Sequence, residues 1–372
     1  MPQTPTMCPW SRPGVLVLSL AALAASACVT APPRPPPPKD WIAHRLCDQA
    51  HCIEVIEIGE APAHYRATAM LVPGMFQNGA SFDLLPEQGI SFARFLIREG
   101  VKVYLVHVRG IGGSDLPPES GLDQIVTEDL PLAFDFIRRR AGEPIIVIGQ
   151  SQGSITLKAF LAGLCRCGDS YCFREEVAAA RQAHVRSAGF FTGNTGMGSP
   201  DPRLRAAAEL GGIFGWLIDL VFDRIDGRGL ALLAFRTFGE GAFDFLNAPG
   251  LLPAEVKYEL LSRSVDSTTA KIALQFADAI RNGSVRSRVP IWREPPRWQE
   301  ALHAIHVPVV QTTFEADPLA PPLQTWLQDF RHIGSQKKKF KRVRGQSHED
   351  WMADPRLHAQ HWMTVQELID LW

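Results

Sequence analysis

The sequence predicts an α/β fold: a mostly parallel central sheet flanked by helices, with a helical cap inserted into it. Three observations carry this. Strand-like and helix-like segments alternate along most of the chain, the pattern of βαβ units. Residues 144–148 are a continuous apolar run, as expected of a central parallel strand buried on both faces. Between residues 196 and 304 the rhythm stops and apolar helical segments succeed one another with no clear strand. The composition fits a folded domain, with 372 residues of which 46% are hydrophobic and 21% charged. With 38 basic against 39 acidic side chains there is no general electrostatic attraction for nucleic acid.

The N-terminus reads as an export signal rather than as part of the fold. Arg12 precedes an apolar run over 15–24, too short to span a bilayer core of about 30 Å. Ala25, Ser26 and Ala27 then offer small residues at a cut site before Cys28. Residues 1–27 are therefore expected to be a signal peptide. A cysteine at that boundary resembles a bacterial lipoprotein signal, which implies a diacylglyceryl group on Cys28 and attachment to the cell envelope. Ordinary signal peptidase would cut at the same place and leave a periplasmic or secreted protein. Residues 28–45 are expected to form a proline-rich tether, extended as polyproline II. In an exported chain Cys47 and Cys52 form one natural disulfide. Cys165, Cys167 and Cys172 supply a second and leave one thiol over, with the choice among them open. A zinc site at those three lacks an obvious fourth ligand, so no metal is expected.

The elements are predicted in chain order. Strands are expected over 52–58, 65–72, 101–108, 144–148, 186–191, 307–313 and 341–344, on their β-branched and aliphatic residues. Phe92, Phe95 and Leu96 ahead of Gly100 predict a helix closed by glycine. Further helices are predicted over 132–140, 154–164, 323–330 and 365–372. The core is thus assigned to 46–195 and 305–372, and the cap to 196–304.

Chemistry enters at Gly149-Gln150-Ser151-Gln152-Gly153, between the apolar strand and the next helix. Serine is a poor nucleophile unless it is presented to a base. A tight strand-to-helix turn presents it, needs glycine on both sides, and aims the helix N-terminus at a developing oxyanion. The motif, its place after the fifth strand and the order of the surrounding elements resemble the α/β-hydrolase superfamily. The resemblance spans nearly all of 52–372. Residues 72–79, Val-Pro-Gly-Met-Phe-Gln-Asn-Gly, look like that family's loop after strand three. The resemblance implies an oxyanion hole from the backbone N–H groups of Met75 and Gln152. Arg109 to Asp115 is similar to the family's structural turn after strand four, and no chemistry is assigned to it.

A serine nucleophile needs a histidine to move its proton and a carboxylate to orient that histidine. In the superfamily the order is serine, acid, histidine. Of 11 histidines His348 is the one that directly follows the last predicted strand, in the loop after it. His303 and His306 precede a strand, and His358 and His361 fall on the last helix. Asp317 comes after the strand over 307–313 and is the expected acid; an Asx turn is the structural reading of the same residue. Asp201 is the other carboxylate in a position some lipases use.

The expected function is cofactor-free hydrolysis of a carboxylic ester, with an apolar acyl chain, through Ser151, His348 and Asp317 and an acyl-enzyme. The lid argument rests on 204–238, where Ile213, Trp216, Phe222, Leu232 and Phe235 would line a dry pocket or simply fill the cap's own core. A thioesterase or amidase on the same triad, and a non-catalytic envelope lipoprotein on a hydrolase scaffold, are the alternatives. The partners expected are a small-molecule or lipid ester and, through Cys28, a membrane. The basic run of Lys337, Lys338, Lys339, Lys341, Arg342 and Arg344 is expected to be a solvated face on the side of the sheet away from catalysis.

Overall fold

The computed structural model describes residues 33–59, 64–117, 120–197, 224–243, 246–289 and 293–354, with parts of 202–209 and 364–370. The signal peptide, Cys28, Asp201, His358, His361 and the lid residues 210–223 lie outside the described residues.

Twelve strands are described: β1 (Trp41–Cys47), β2 (Cys52–Ile58), β3 (Ala67–Val72), β4 (Val101–His107), β5 (Ile145–Gln150), β6 (Leu164–Cys167), β7 (Ser170–Phe173), β8 (Val185–Phe191), β9 (Arg224–Asp226), β10 (Ser267–Thr269), β11 (Val309–Phe314) and β12 (Lys338–Val343). Eight of them form one sheet in the order β1-β2-β4-β3-β5-β8-β11-β12. β1 pairs antiparallel with β2 and β2 with β4, and every other neighbouring pair is parallel. This is the mostly parallel sheet the alternation predicts. In β5 the side chains of Ile145 and Val147 enter one core layer while Ile146 and Ile148 enter the other. Helices α1 (Phe92–Arg98), α2 (Leu130–Ala141), α3 (Gln152–Leu161) and α4 (Glu175–Gln182) cross between strands. Leu130, Ala133, Phe134 and Ile137 turn α2's apolar face to the sheet, and Gly142 closes it in the left-handed conformation at φ 70°.

Three features differ from the sequence expectation. The strand β1 begins at Trp41, inside the stretch assigned to the tether. Its burial alternates only weakly, and what holds it is a seven-residue register with β2 closed by the Cys47–Cys52 disulfide. The proline tract ahead of it is not free from residue 33 onward. Arg34 pairs with Asp266 at 2.9 Å and donates to the Val265 carbonyl, and Arg228 donates to the Pro33 carbonyl. The basic run is mostly the edge strand β12. Lys339 and Lys341 pair with Glu367, and Arg342 with Glu315, so charge covers an otherwise open sheet edge.

The region assigned to the cap divides in two. Helix α5 (Gly227–Phe238) contributes to a small cluster with Leu232, Phe243 and Leu261, while α6 (Ala254–Glu259) packs Val256 with Leu252 and Leu260 against Leu84, Leu85, Ile90 and Ala353 of the sheet domain. From α7 (Ala270–Asn282) onward the chain joins the main core instead. Ile272, Phe276, Ala279, Val285, Trp298 and Leu302 belong to the same cluster as Ile145 and Val147. The short β9–β10 pair lies in this region and has no period-2 signal in the sequence, because each strand has three residues.

Gly153 shows how tightly the turn after β5 is packed. A Cβ placed there would lie 2.0 Å from the Val72 carbonyl oxygen and 2.7 Å from that of Pro73. Both are backbone atoms of the neighbouring strand's end, so no side chain can step aside. Gly153→Ala is expected to cost about 4 kcal/mol or more, read as a lower midpoint in urea denaturation. An unchanged midpoint would show that this turn relaxes freely.

Candidate active site

Ser151 stands between β5 and α3 with φ 50° and ψ −119°. Non-glycine residues avoid positive φ because Cβ crowds the backbone. Among the described residues only Phe76, Ser151 and Thr192 adopt it. They come after β3, β5 and β8, three adjacent strands, at their carboxyl ends. Backbone strain is thus concentrated on one short stretch of the sheet edge, where surrounding bonds hold it. Ser151 N–H donates to the Phe191 carbonyl at 2.9 Å, and Phe191 N–H donates to Ser154 Oγ at 3.0 Å. A Cβ on Gly74 would sit 3.1 Å from that of Ser151, so the loop after β3 lies against the serine.

His348 and Asp317 come together from the ends of β12 and β11. His348 Nδ1 lies 2.9 Å from Asp317 Oδ2, with both side chains buried. A carboxylate there requires the proton on Nδ1, which leaves Nε2 with its lone pair in the neutral ring. Asp317 Oδ1 accepts from the N–H groups of Leu319 and Ala320 at 2.8 and 3.1 Å. One oxygen thus makes the Asx turn while the other faces the histidine. The two loops are laced together: Ala316 N–H donates to the Gln346 carbonyl and Ser347 Oγ to that of Ala316. Burial pushes the His348 pKa down, but the field and hydrogen bond of Asp317 outweigh it, with Glu349 and Asp350 adding to them. The net direction is up.

The histidine loop is anchored behind the ring. Trp351 stacks on Phe191 at 4.3 Å between centroids and meets Phe92 and Phe82 edge-on. Asp350 accepts from the N–H groups of Ser347 and Ala248. Among the described residues no hydrogen bond joins the Ser151 hydroxyl to His348. Such contacts are often loose without substrate and tighten when it binds.

A polar clamp at the centre has no signature in the sequence. The Glu349 carboxylate is buried beside His348 and takes one amide on each oxygen, from Gln77 Nε2 at 2.5 Å and Gln150 Nε2 at 3.2 Å. Burial pushes its pKa up, against the His348 field. The clamp joins the loop after β3, the serine turn and the histidine loop. Gln77 Oε1 also accepts from the Gly74 N–H at 3.3 Å, which occupies that donor. Met75 N–H, next in the chain, meets no acceptor among the described residues. Gln152 N–H is the first of α3, where no intrahelical acceptor exists. Asn, Gln and Glu are common in loops, and only the fold brings these three together.

Arg109 lies in a buried ion cluster. It is buried after β4, bound to Asp129 at 2.6 Å and to Glu128 at 2.7 Å, with His51 closing the group. His303 and His306 precede β11, at the opposite end of the parallel strands from the serine.

A family model described as the alpha/beta hydrolase family matches residues 69–360, well over half of the sequence. The chain belongs to that family. Solved structures share the fold at low identity. An esterase from Thermogutta terrifontis, with malate bound, superposes with a TM-score of 0.55 at 15% identity, covering 88% of this chain and 98% of its own. A monoacylglycerol lipase from Paleococcus ferrophilus gives 0.52 at 14%, covering 85% and 98%. A membrane phospholipase A described as a bacterial virulence factor gives 0.56 at 15%, covering 96% and 92%. No curated protein matches the sequence.

Proposed function

We propose that this hydrolase is a serine hydrolase that cleaves carboxylic esters with an apolar acyl group. The observation that carries it is a strained Ser151 at the same, carboxyl end of the sheet as a buried Asp317–His348 pair. In this reading Ser151 Oγ attacks the carbonyl carbon while His348 Nε2 takes its proton. The Met75 and Gln152 N–H groups hold the oxyanion. His348 returns the proton to the leaving alcohol and then activates water to release the acid. Asp317 keeps the proton on Nδ1 and stabilises the imidazolium. The ester assignment draws support from similar folds that are named esterase, monoacylglycerol lipase and phospholipase A. Export through residues 1–27 and lipidation of Cys28 belong to the same proposal. Four residues lie between Cys28 and the docked Pro33, five Cα steps with a reach of at most about 18 Å. An anchor there would hold the domain close to the membrane rather than far from it.

A fluorophosphonate probe tests the nucleophile directly. It is expected to add to Ser151, found by peptide mass spectrometry, and to abolish hydrolysis of p-nitrophenyl esters in proportion. A protein that neither takes the probe nor turns over esters would leave the binding-lipoprotein reading. Preference among matched ester, thioester and amide substrates separates the remaining chemistries.

The pH profile is set by His348. The base must be neutral, so kcat/KM falls as pH drops through the histidine pKa. With that pKa raised by Asp317, the acid limb is expected to have its midpoint above the ordinary value of about 6.5. Asp317→Asn should move the midpoint down. A parent midpoint below 6 would contradict the assignment of His348 (roughly half a unit under the free side chain).

A further inference from the structure

Away from the sheet edge that carries Ser151, three sulfur atoms crowd one face of a small hairpin. Strands β6 and β7 pair with Cys165 opposite Cys172 and Cys167 opposite Ser170. Residues 165 and 167 are two apart on one strand, so their side chains share a face, and Cys172 joins them across the ladder. The structure bonds Cys167 to Cys172, a diagonal pair, and leaves Cys165 as the thiol. Its Sγ lies 3.9 Å from that of Cys167 and 4.0 Å from that of Cys172.

We propose that this hairpin is a thiol–disulfide exchange site, in which the Cys165 thiol displaces Cys167 from its disulfide and bonds to Cys172. As a thiolate, Cys165 Sγ attacks Cys172 Sγ; the Cys165–Cys172 bond forms as the Cys167–Cys172 bond breaks. The electron pair leaves on Cys167 Sγ, which takes up the proton that Cys165 gave. One disulfide and one thiol stand on each side, so no oxidant or reductant is consumed. The register favours this product. Directly opposed residues in an antiparallel pair have Cα atoms about 4.5–5.5 Å apart, inside the range a disulfide spans. The other product, Cys165–Cys167, would have to bridge neighbours on one strand at close to the upper limit of that range.

A second observation concerns the attacking thiol. Arg181 on α4 is buried against Phe160, with its guanidinium 4.2 Å from the ring centroid, and donates to the carbonyls of Phe160 and Leu164. Among the described residues no carboxylate lies within ion-pair distance of it. Burial pushes its pKa down to about 10, and the fields that oppose this are those of Cys165 and Asp135. After exchange the free thiol is Cys167, next to the exposed Gly168–Asp169 turn, where it meets a disulfide-bearing molecule on equal redox terms: Cys167 Sγ bonds to one sulfur of that disulfide as the other leaves as a thiol.

The test uses the full chain as purified without reductant. The protein is held at pH 8, quenched in acid, denatured, and its free thiols capped with N-ethylmaleimide before digestion and mass spectrometry. The expected result is label on both Cys165 and Cys167 within one sample, with Cys165–Cys172 and Cys167–Cys172 both found as disulfides. Cys165→Ser should remove the Cys167 label completely. Cys167→Ser should yield Cys165–Cys172 on exposure to oxidised glutathione, with its melting temperature showing that the hairpin remains folded. Label confined to Cys165 after prolonged incubation would overturn the proposal. So would label on all three cysteines together with stoichiometric zinc, which would make the cluster a thiolate metal site.

Discussion

Ser151→Ala is expected to lower kcat/KM for a p-nitrophenyl ester by about 10⁶-fold and to leave a residue of about 10³-fold over water. On the proposed mechanism the loss is large because the hydroxyl oxygen is the atom that forms the acyl bond. On the same proposal, what remains is the work of the Met75 and Gln152 N–H groups, which no side-chain change at position 151 removes. Asp317→Asn should cost less, about 10⁴-fold, because it disturbs the orientation and tautomer of His348 rather than the bond-forming atom. Combining the two should give no more than the serine loss alone, since groups that act as one unit do not add. Neither change should unfold the protein. Alanine fits the φ 50° turn no worse than serine, and an asparagine Oδ1 can still accept from Leu319 and Ala320. Steady-state kinetics with a circular-dichroism melt of each variant checks both statements. A Ser151→Ala enzyme within about tenfold of the parent would remove the nucleophile assignment, that being roughly the scale of a small change in positioning.

The sheet was legible because its period is. Residues 144–148 form an unbroken apolar run, and a strand covered on both faces uses such a run. Ser151 was legible for a different reason: two glycines flank it, and a Cβ at Gly149 or Gly153 would collide with backbone within 2.5 Å. His348 and Asp317 were legible through order, each lying just after a strand at the same sheet edge. The Gln77–Glu349–Gln150 clamp was not. Glu349 lies 272 and 199 residues along the chain from its two partners, and nothing local to Gln77 or Glu349 tells that they meet Gln150. The inward packing of Trp298 and Leu302 was hidden likewise, since an apolar helix reads the same whether it faces a lid or the main core. The strand β1 escaped because an edge strand with mixed exposure lacks the alternation that betrays a half-buried one.

Lys158 presents the second large effect, on stability. It lies on α3, wholly buried, with Nζ 2.6 Å from Asp329 Oδ2 and 2.7 Å from the Gly193 carbonyl. Asp329 in turn accepts from Thr195 N–H and from Thr195 Oγ1 at 2.6 Å. Burial pushes the Lys158 pKa down, against the pull of Asp329. The pair is therefore costly to bury, yet costlier to break. Lys158→Met would leave Asp329 as an uncompensated charge in the core and is expected to lose about 3–5 kcal/mol. Lys158→Met with Asp329→Asn should recover a large part of that loss, because the orphan charge is gone while an amide can still accept from Thr195. A double variant less stable than the sum of the single changes would refute this account. The same change should reach the site through Gly193. A Cβ on that glycine would lie 2.7 Å from the Ser151 carbonyl oxygen, so the segment Lys158 holds is the wall behind the nucleophile turn. Activity measured well below the melting transition should fall in the single variant and return with stability in the double. A brace acts through position alone, and restoring the position without the lysine is what distinguishes it from a catalytic group.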